Sequence, residues 1–232
     1  MKVLGIAVVL ALGGVLAQGL LALAQSPALK LEEYEVVGNH RIGEQELVDT
    51  VAVERGEHLL AVSTSEAVER VLANPWIRKA RVERILPSKL RVAVVERTAR
   101  VVVLTPAGPY LVDSQGLVLQ QGDENLVALT DLPVQQLTAG ERIDHPAFEH
   151  AWRAYESLPS SLRVNVGSIS ALTVDQVKFN LNGGPEIFYG AAEEMEQKNN
   201  AIQAMLERLA GSDASGTVVD VRVPSRPALR SS

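Results

Sequence analysis

The feature that most constrains this chain is an uncharged apolar run near its amino end. Residues 3–24 contain no charged side chain, and Gln18 is the only polar one. A helix of this length, rising about 1.5 Å per residue, crosses the roughly 30 Å hydrocarbon core of a bilayer. Because the run has no polar face, it does not fit the surface of a soluble core. We therefore predict a transmembrane anchor, with everything after Gln25 on the far side of the cytoplasmic membrane.

A cleaved signal peptide is the alternative for the same segment. Ala22, Leu23 and Ala24 precede Gln25 and match the small-residue pattern of a cleavage site. The apolar run is longer than the roughly 7–15 residues usual for the apolar region of a signal peptide. Its length favours the anchor, and the two interpretations differ in whether the mature protein begins at Gln25.

Composition excludes several functional classes. A hydrophobic content of 47% and a charged content of 22% are typical of a globular protein. The net charge of -6 and the aromatic content of 4% argue against a nucleic-acid surface. The absence of cysteine excludes disulfides and thiolate metal sites. His145 and His150 lie five residues apart and so do not form a helical metal pair. We expect neither a metal nor a cofactor.

The first region after the apolar run has the pattern of an α+β unit. A strand pattern ends at Gly38, and two amphipathic helical patterns follow it. Ser63 and Glu66 have the spacing of a capping box at the start of the second helix. Strands are then predicted over 77–85 and 90–97, with a turn between them. This order predicts a three-stranded sheet with two helices on one face.

The two strands at the end of that region carry a concentration of basic residues. Residues 75–97 hold seven of the 22 lysines and arginines of the chain, and only two acids. Alternation along the strands places Lys79, Arg81 and Arg91 on the solvent face. The face is either simply solvated or a docking surface for an acidic protein partner. Nucleic acid is not favoured, because no aromatic residues are interleaved with the charges.

From about residue 99 the pattern becomes mainly that of antiparallel β-strands with flanking helices. Asp113 lies in a turn between two strand patterns, and no second carboxylate is placed to act with it. No nucleophile or metalloprotease motif is present, so we do not expect an enzyme. Helices are predicted from Pro146, with Trp152 facing the core, and over 191–210.

A last strand is predicted from about Val218 to Val223. Val219, Val221 and Val223 would share one face, and the strand is bounded by prolines. An open sheet edge can accept a strand from a partner, with main-chain hydrogen bonds supplying affinity. The alternative is a strand paired on both sides within its own sheet.

Several segments together resemble the FtsQ/DivIB family of bacterial cell-division proteins over about residues 34–230. They occur in the family's order and spacing. They are V-x-G-N near 37–39, L-L-x-V-S at 59–63, the N-P-W to E-R run at 74–97, Y-L-V-D-x-x-G at 110–116, G-x-E-I-x-Y-G at 184–190, Lys198, and the terminal V-V-D-V-R-V-P-S-R-P-A-L-R.

This resemblance implies a domain organisation and a function. The function is that of a non-enzymatic, single-span protein of the inner membrane that scaffolds assembly of the division septum. The implied partners are FtsB-like and FtsL-like single-span proteins, bound outside the cytoplasmic membrane. The implied domains are a cytoplasmic stub and transmembrane anchor (1–25), a linker (26–32), a POTRA domain (33–98), an FtsQ-type β domain (99–223) and a C-terminal tail (224–232).

The resemblance also implies that the last strand binds the FtsB-like partner. A secreted or outer-membrane assembly factor, containing a POTRA domain and a cleaved signal peptide, is the alternative. The expected partner-binding residues are Val218, Val219, Asp220, Val221, Arg222, Val223, Pro224 and Ser225.

Overall fold

The computed structural model describes residues 26–210 and 216–231, together with Gly13, Gly14 and Gln18. The anchor predicted within residues 3–24 lies, apart from those three positions, outside the described residues. In the part of the chain that is described, no helix combines the length and the apolar character needed to cross a bilayer. The chain divides into two compact units between Arg97 and Thr98.

The first unit has the predicted three-stranded sheet and two helices. Its elements are β1 (Glu33–Val37), α1 (Glu44–Val51), α2 (Thr64–Leu72), β2 (Ile77–Ile85) and β3 (Lys89–Glu96). The central strand β3 runs parallel to β1 and antiparallel to β2, so the sheet order is β1-β3-β2. Alternate residues of β3 and one side of each helix are buried, which places the core between the sheet and the helices.

Local hydrogen bonds cap the start of α2 and fix the chain that leads into α1. The Ser63 hydroxyl accepts a hydrogen bond from the backbone N–H of Glu66 at 3.4 Å, as the capping pattern predicts. The carboxylate of Glu96, at the end of β3, accepts from the backbone N–H groups of Arg41 and Ile42 at 2.9 and 3.0 Å. Burial raises the pKa of Glu96, but these backbone hydrogen bonds outweigh it and leave the pKa lowered. The carboxylate thus ties the central strand to the chain that leads into α1.

The second unit is built on a larger mixed sheet. Its elements are β4 (Ala99–Thr105), β5 (Gly108–Asp113), β6 (Val118–Gln121), β7 (Val127–Thr130), α3 (Pro146–Ser157), α4 (Ser160–Arg163), β8 (Val166–Ala171), β9 (Val177–Leu181), β10 (Glu186–Phe188), α5 (Met195–Leu209), β11 (Thr217–Asp220) and β12 (Ala228–Ser231). Among the described residues the sheet has nine strands in the order β12-β11-β10-β9-β8-β7-β4-β5-β6.

Three pairings in this sheet are parallel, where mainly antiparallel strands were predicted. They are β4 with β7, β7 with β8, and β10 with β11. Parallel neighbours need a crossover connection, usually helical. α3 and α4 lie between β7 and β8 in the chain, and α5 lies between β10 and β11. The helices therefore supply the crossovers for two of the three parallel pairs, β7 with β8 and β10 with β11. All pairings in the sheet other than these three are antiparallel.

The helices of the second unit cover one face of its sheet. Phe148 and Trp152 of α3 are buried in the same apolar cluster as Ile202 of α5. Strand residues such as Phe179 and Val219 complete this cluster. The predicted inward orientation of Trp152 is observed. The opposite side chains of the strands form the other face of the sheet.

The end of the chain differs from the prediction. The strand predicted over 218–223 ends at Asp220, and a further strand, β12, occupies part of the segment predicted as a tail. The backbone N–H of Arg226 donates to the carbonyl of Val223 at 2.9 Å, which closes a turn. The prolines at 224 and 227 therefore lie in a connection between two strands. They do not mark the end of the sheet.

Candidate functional site

The large sheet ends in β6 on one side and in β12 on the other, and the predicted strand, β11, lies on the inner side of β12. β11 pairs with β10 on one side and with β12 on the other. Within the described residues, β12 pairs with β11 alone. The expectation that Val218–Val223 form the exposed edge is therefore wrong, because the chain turns back and covers β11. The exposed edge at this end is four residues long and consists of Ala228–Ser231.

The edge strand presents one apolar and one basic side chain. Leu229 lies opposite Val219, which is buried in the core, and Leu229 itself is 39% exposed. Arg230 lies opposite Val218 and projects to the other face, because side chains alternate along a strand. A segment placed beside β12 would therefore meet an aliphatic side chain on the helix-covered face. It would meet a guanidinium on the open face.

A buried carboxylate holds the edge strand to the sheet. Asp220 is only 7% exposed. Its oxygens accept from Nε and Nη2 of Arg222 at 3.1 and 2.8 Å, and from the Arg222 backbone N–H at 3.2 Å. Nη2 of Arg230, on β12, lies 3.1 Å from the same carboxylate. The hydrogen bonds from Arg222 lower the pKa of Asp220 and outweigh the opposing effect of burial. Asp220 thus links the end of β11 to Arg222, which lies in the segment between β11 and β12, and to Arg230 of β12.

Arg222 packs closely on the neighbouring strand. Its guanidinium carbon lies 4.0 Å from the centre of the Phe188 ring, a cation–π geometry. Its aliphatic stem lies against Gly190, where an added Cβ would come within 2.9 Å of the Arg222 Cγ. Gly190 also has a φ of +74°, which favours glycine. The Arg222 side chain can therefore pack in this position only because residue 190 has no side chain.

A basic cavity of about 400 Å³ lies beside the edge strand. Three of its lining residues are arginines and one is an aspartate, so the lining has a net positive charge. The lining residues are Asp220, Arg222, Val223, Arg226, Ala228 and Arg230.

The predicted site residues fall into three positions. Val218, Val219 and Asp220 lie in β11 and support the edge from inside. Val221 is buried, and its N–H donates to the carbonyl of Phe188 at 3.0 Å. The remaining four predicted residues, Arg222, Val223, Pro224 and Ser225, form the connection before β12.

Sequence reasoning missed the edge strand and Arg226. The signal that could have found β12 is the short A-L-R-S stretch after Pro227, in which apolar and basic residues alternate. Four residues give too little alternation to separate a strand from a tail.

The basic residues predicted on the small sheet lie on its outer face, among glutamates. Nη2 of Arg81 lies 2.6 Å from Glu83, and Nη2 of Arg91 lies 3.1 Å from Glu35. Lys79, on the same strand as Arg81, is exposed. The pairing of β1 with β3 brings acidic side chains beside the basic ones. This face therefore has mixed charge, which favours the solvated interpretation over an acidic docking partner.

The turn carboxylate Asp113 has the structural role expected of it. Oδ1 of Asp113 accepts from the backbone N–H groups of Gln115 and Leu117 at 2.8 and 2.9 Å. These bonds close the turn between β5 and β6, because they satisfy backbone donors that the strands leave free.

Comparisons with known proteins point to one family. The family model described as "POTRA domain, FtsQ-type" matches residues 29–97. A protein named Cell division protein FtsQ from Mycolicibacterium smegmatis is 31% identical over 95% of this chain and 63% of its own length. Its counterpart from Mycobacterium leprae is 28% identical over 90% of this chain and 58% of its own length. The Corynebacterium glutamicum counterpart is 25% identical over 78% of this chain and 81% of its own. The chain thus spans about three fifths of the two mycobacterial relatives.

Proposed function

We propose that the chain, which is similar to FtsQ cell-division proteins over most of its length and matches the FtsQ-type POTRA family model over residues 29–97, is a non-enzymatic scaffold of the septal division machinery. It is held at the cytoplasmic membrane by a single span within residues 3–24, with both compact units outside. It binds FtsB-like and FtsL-like single-span division proteins there. The relatives compared are division proteins by name, which favours this function over a secreted or outer-membrane assembly factor.

The binding mode we propose is addition of a partner strand to β12. The observation that carries it is the topology, since β12 pairs on one side only within the described residues. A strand edge offers N–H and C=O groups to an extended segment, and alternate side chains supply specificity. An extended partner segment with an apolar residue against Leu229 and an acidic residue beside Arg226 and Arg230 fits this edge. The partner would extend the large sheet by a tenth strand.

The contact set follows from this geometry. Ala228–Ser231 supply the main-chain contacts, and Val223 and Arg226 line the cavity beside them. The originally predicted Val218–Asp220 support the edge and do not receive the partner. A docking role for Lys79, Arg81 and Arg91 stays a separate prediction, which the glutamates beside Arg81 and Arg91 do not favour.

A substitution on the edge strand tests the proposal. Leu229→Glu places a charge at the centre of β12, so capture of the FtsB-like protein from the same genome should weaken at least about tenfold, or 1.4 kcal/mol. Arg230→Glu should weaken capture as well, because it repels the acidic residue expected in the partner.

Leu104→Glu is the matched control. Leu104 is 41% exposed on β4 of the same sheet, against 39% for Leu229, but β4 is an interior strand. We expect the Leu104→Glu variant to capture as much of the FtsB-like protein as the unsubstituted chain does. Full capture by folded Leu229→Glu and Arg230→Glu variants would refute docking at β12.

A further inference from the structure

Lys198 of α5 is buried on the side of the helix that faces the sheet. It is only 3% exposed, a burial that lysine rarely reaches unless it is paired. Its Nζ donates to the carbonyl oxygen of Ala191 at 2.7 Å and lies 5.1 Å from the centre of the Tyr189 ring. The ammonium therefore lies where the chain leaves β10 and turns toward α5.

The charge of Lys198 is costly to keep in this place. Burial lowers the pKa of Lys198, and the carboxylates of Glu193, Glu194 and Asp175 oppose this effect without cancelling it. A lysine whose pKa is lower in the folded than in the unfolded chain destabilises the fold while it is protonated. The contacts that the ammonium makes are therefore the better guide to its role.

A continuous set of contacts leads from this ammonium to the edge strand. Ala191 follows Gly190, and the stem of Arg222 packs on Gly190. The head of Arg222 binds Asp220, and Asp220 binds Arg230 of β12. The N–H of Val221 also donates to Phe188 at 3.0 Å, just before this turn. The segment that Lys198 holds, residues 189–191, is thus the surface on which Arg222, in the connection between β11 and β12, packs.

We propose that Lys198 is a positioning residue, which holds the 189–191 turn so that Arg222 and Asp220 seat the edge strand β12. The inference rests on the proposed function only in its consequence for partner binding. Its structural part, the order of the edge, stands by itself. The cation fixes the edge from the opposite face of the sheet, through four intervening residues, Ala191, Gly190, Arg222 and Asp220.

Lys198→Met separates this role from a general contribution to stability. Methionine keeps the buried aliphatic stem and removes the ammonium, together with its desolvation cost. The melting temperature should stay unchanged or rise. Amide hydrogen exchange of residues 217–231 in the full-length chain should become at least about tenfold faster, while exchange of α3 stays unchanged. Arg208→Met removes a charge from the exposed side of the same helix and should leave exchange of the edge unchanged.

Each outcome decides the inference. Unchanged exchange of the edge in Lys198→Met overturns it, and so does faster exchange spread evenly over the unit. Local loss of protection supports it. If protection is lost locally and capture of the FtsB-like protein is unaffected, positioning stands and docking at β12 is refuted. If Lys198→Met does not fold, Gly190→Ala tests the same path, because it displaces Arg222 while the ammonium remains. Unchanged edge exchange in that variant would likewise overturn the inference.

Discussion

Asp220→Asn should weaken the second unit because it removes the negative charge that two arginines share. The carboxylate accepts three hydrogen bonds from Arg222 and lies 3.1 Å from Arg230. Hydrogen bonds to a charged group contribute about 1.5–3 kcal/mol when well buried. The side chains of Arg222 and Arg230 are 41% and 60% exposed, so solvent screens these contacts. We therefore expect a loss of about 1–2 kcal/mol at pH 7.

The pH dependence of this loss identifies its cause. Since the pKa of Asp220 is lowered in the folded state, its charge stabilises the fold above the unfolded pKa of about 3.9. That stability disappears as the pH falls through the folded pKa. The difference between the native protein and Asp220→Asn should therefore be largest near pH 7. It should shrink steadily as the pH falls below about 4.

Urea unfolding followed by Trp152 fluorescence measures this difference, in a Trp76→Phe background so that only the second unit reports. Asp123→Asn is the control. Asp123 is an exposed acid of the same unit, and its replacement should change the unfolding free energy by less than about 0.5 kcal/mol. A difference that is the same at pH 7 and pH 3.5 would refute the charge argument. A difference no larger than that of the control would refute it as well.

Three further predictions concern the other parts of the chain. Arg91→Glu should destabilise the first unit by more than about 0.5 kcal/mol, because the new carboxylate faces Glu35. Lys79→Glu should change the unfolding free energy by less than that amount. Urea unfolding followed by Trp76 fluorescence compares the two variants, and equal effects would contradict the pairing of Arg91 with Glu35. Glu96→Gln should cost about 1 kcal/mol in the same assay, as the backbone donors before α1 lose a charged acceptor, and no loss would contradict that role. Intact mass of the membrane-fraction protein should include residues 1–24, whereas a soluble product starting at Gln25 would refute the anchor.

Local patterns predicted the small sheet because its elements are determined by neighbouring residues. The capping pair Ser63 and Glu66 and the alternation within 77–97 both act over a few residues. Sequence reasoning could not foresee the pairing of Glu35 with Arg91, which lie 56 positions apart. The distinction between a basic patch and a mixed-charge face depends on that pairing. For this reason the sequence alone does not distinguish a docking face from a solvated one.

The large sheet was harder to predict because its edges depend on topology. A proline ends a strand in either interpretation, so Pro224 and Pro227 alone did not distinguish a tail from a turn followed by β12. The strand at 217–220 was recognisable from its valines, but its two neighbours were not. Lys198 is a single basic residue in an amphipathic helix, and such a residue is normally assigned to the solvent face. Only the fold shows that this position faces the sheet.

The place of β12 in chain order has a consequence for timing. Ribosomes add residues from the amino end, so Ala228–Ser231 emerge after every other strand of the sheet they border. A nascent chain stalled before that point leaves β11 uncovered and lacks the surface proposed for recruitment.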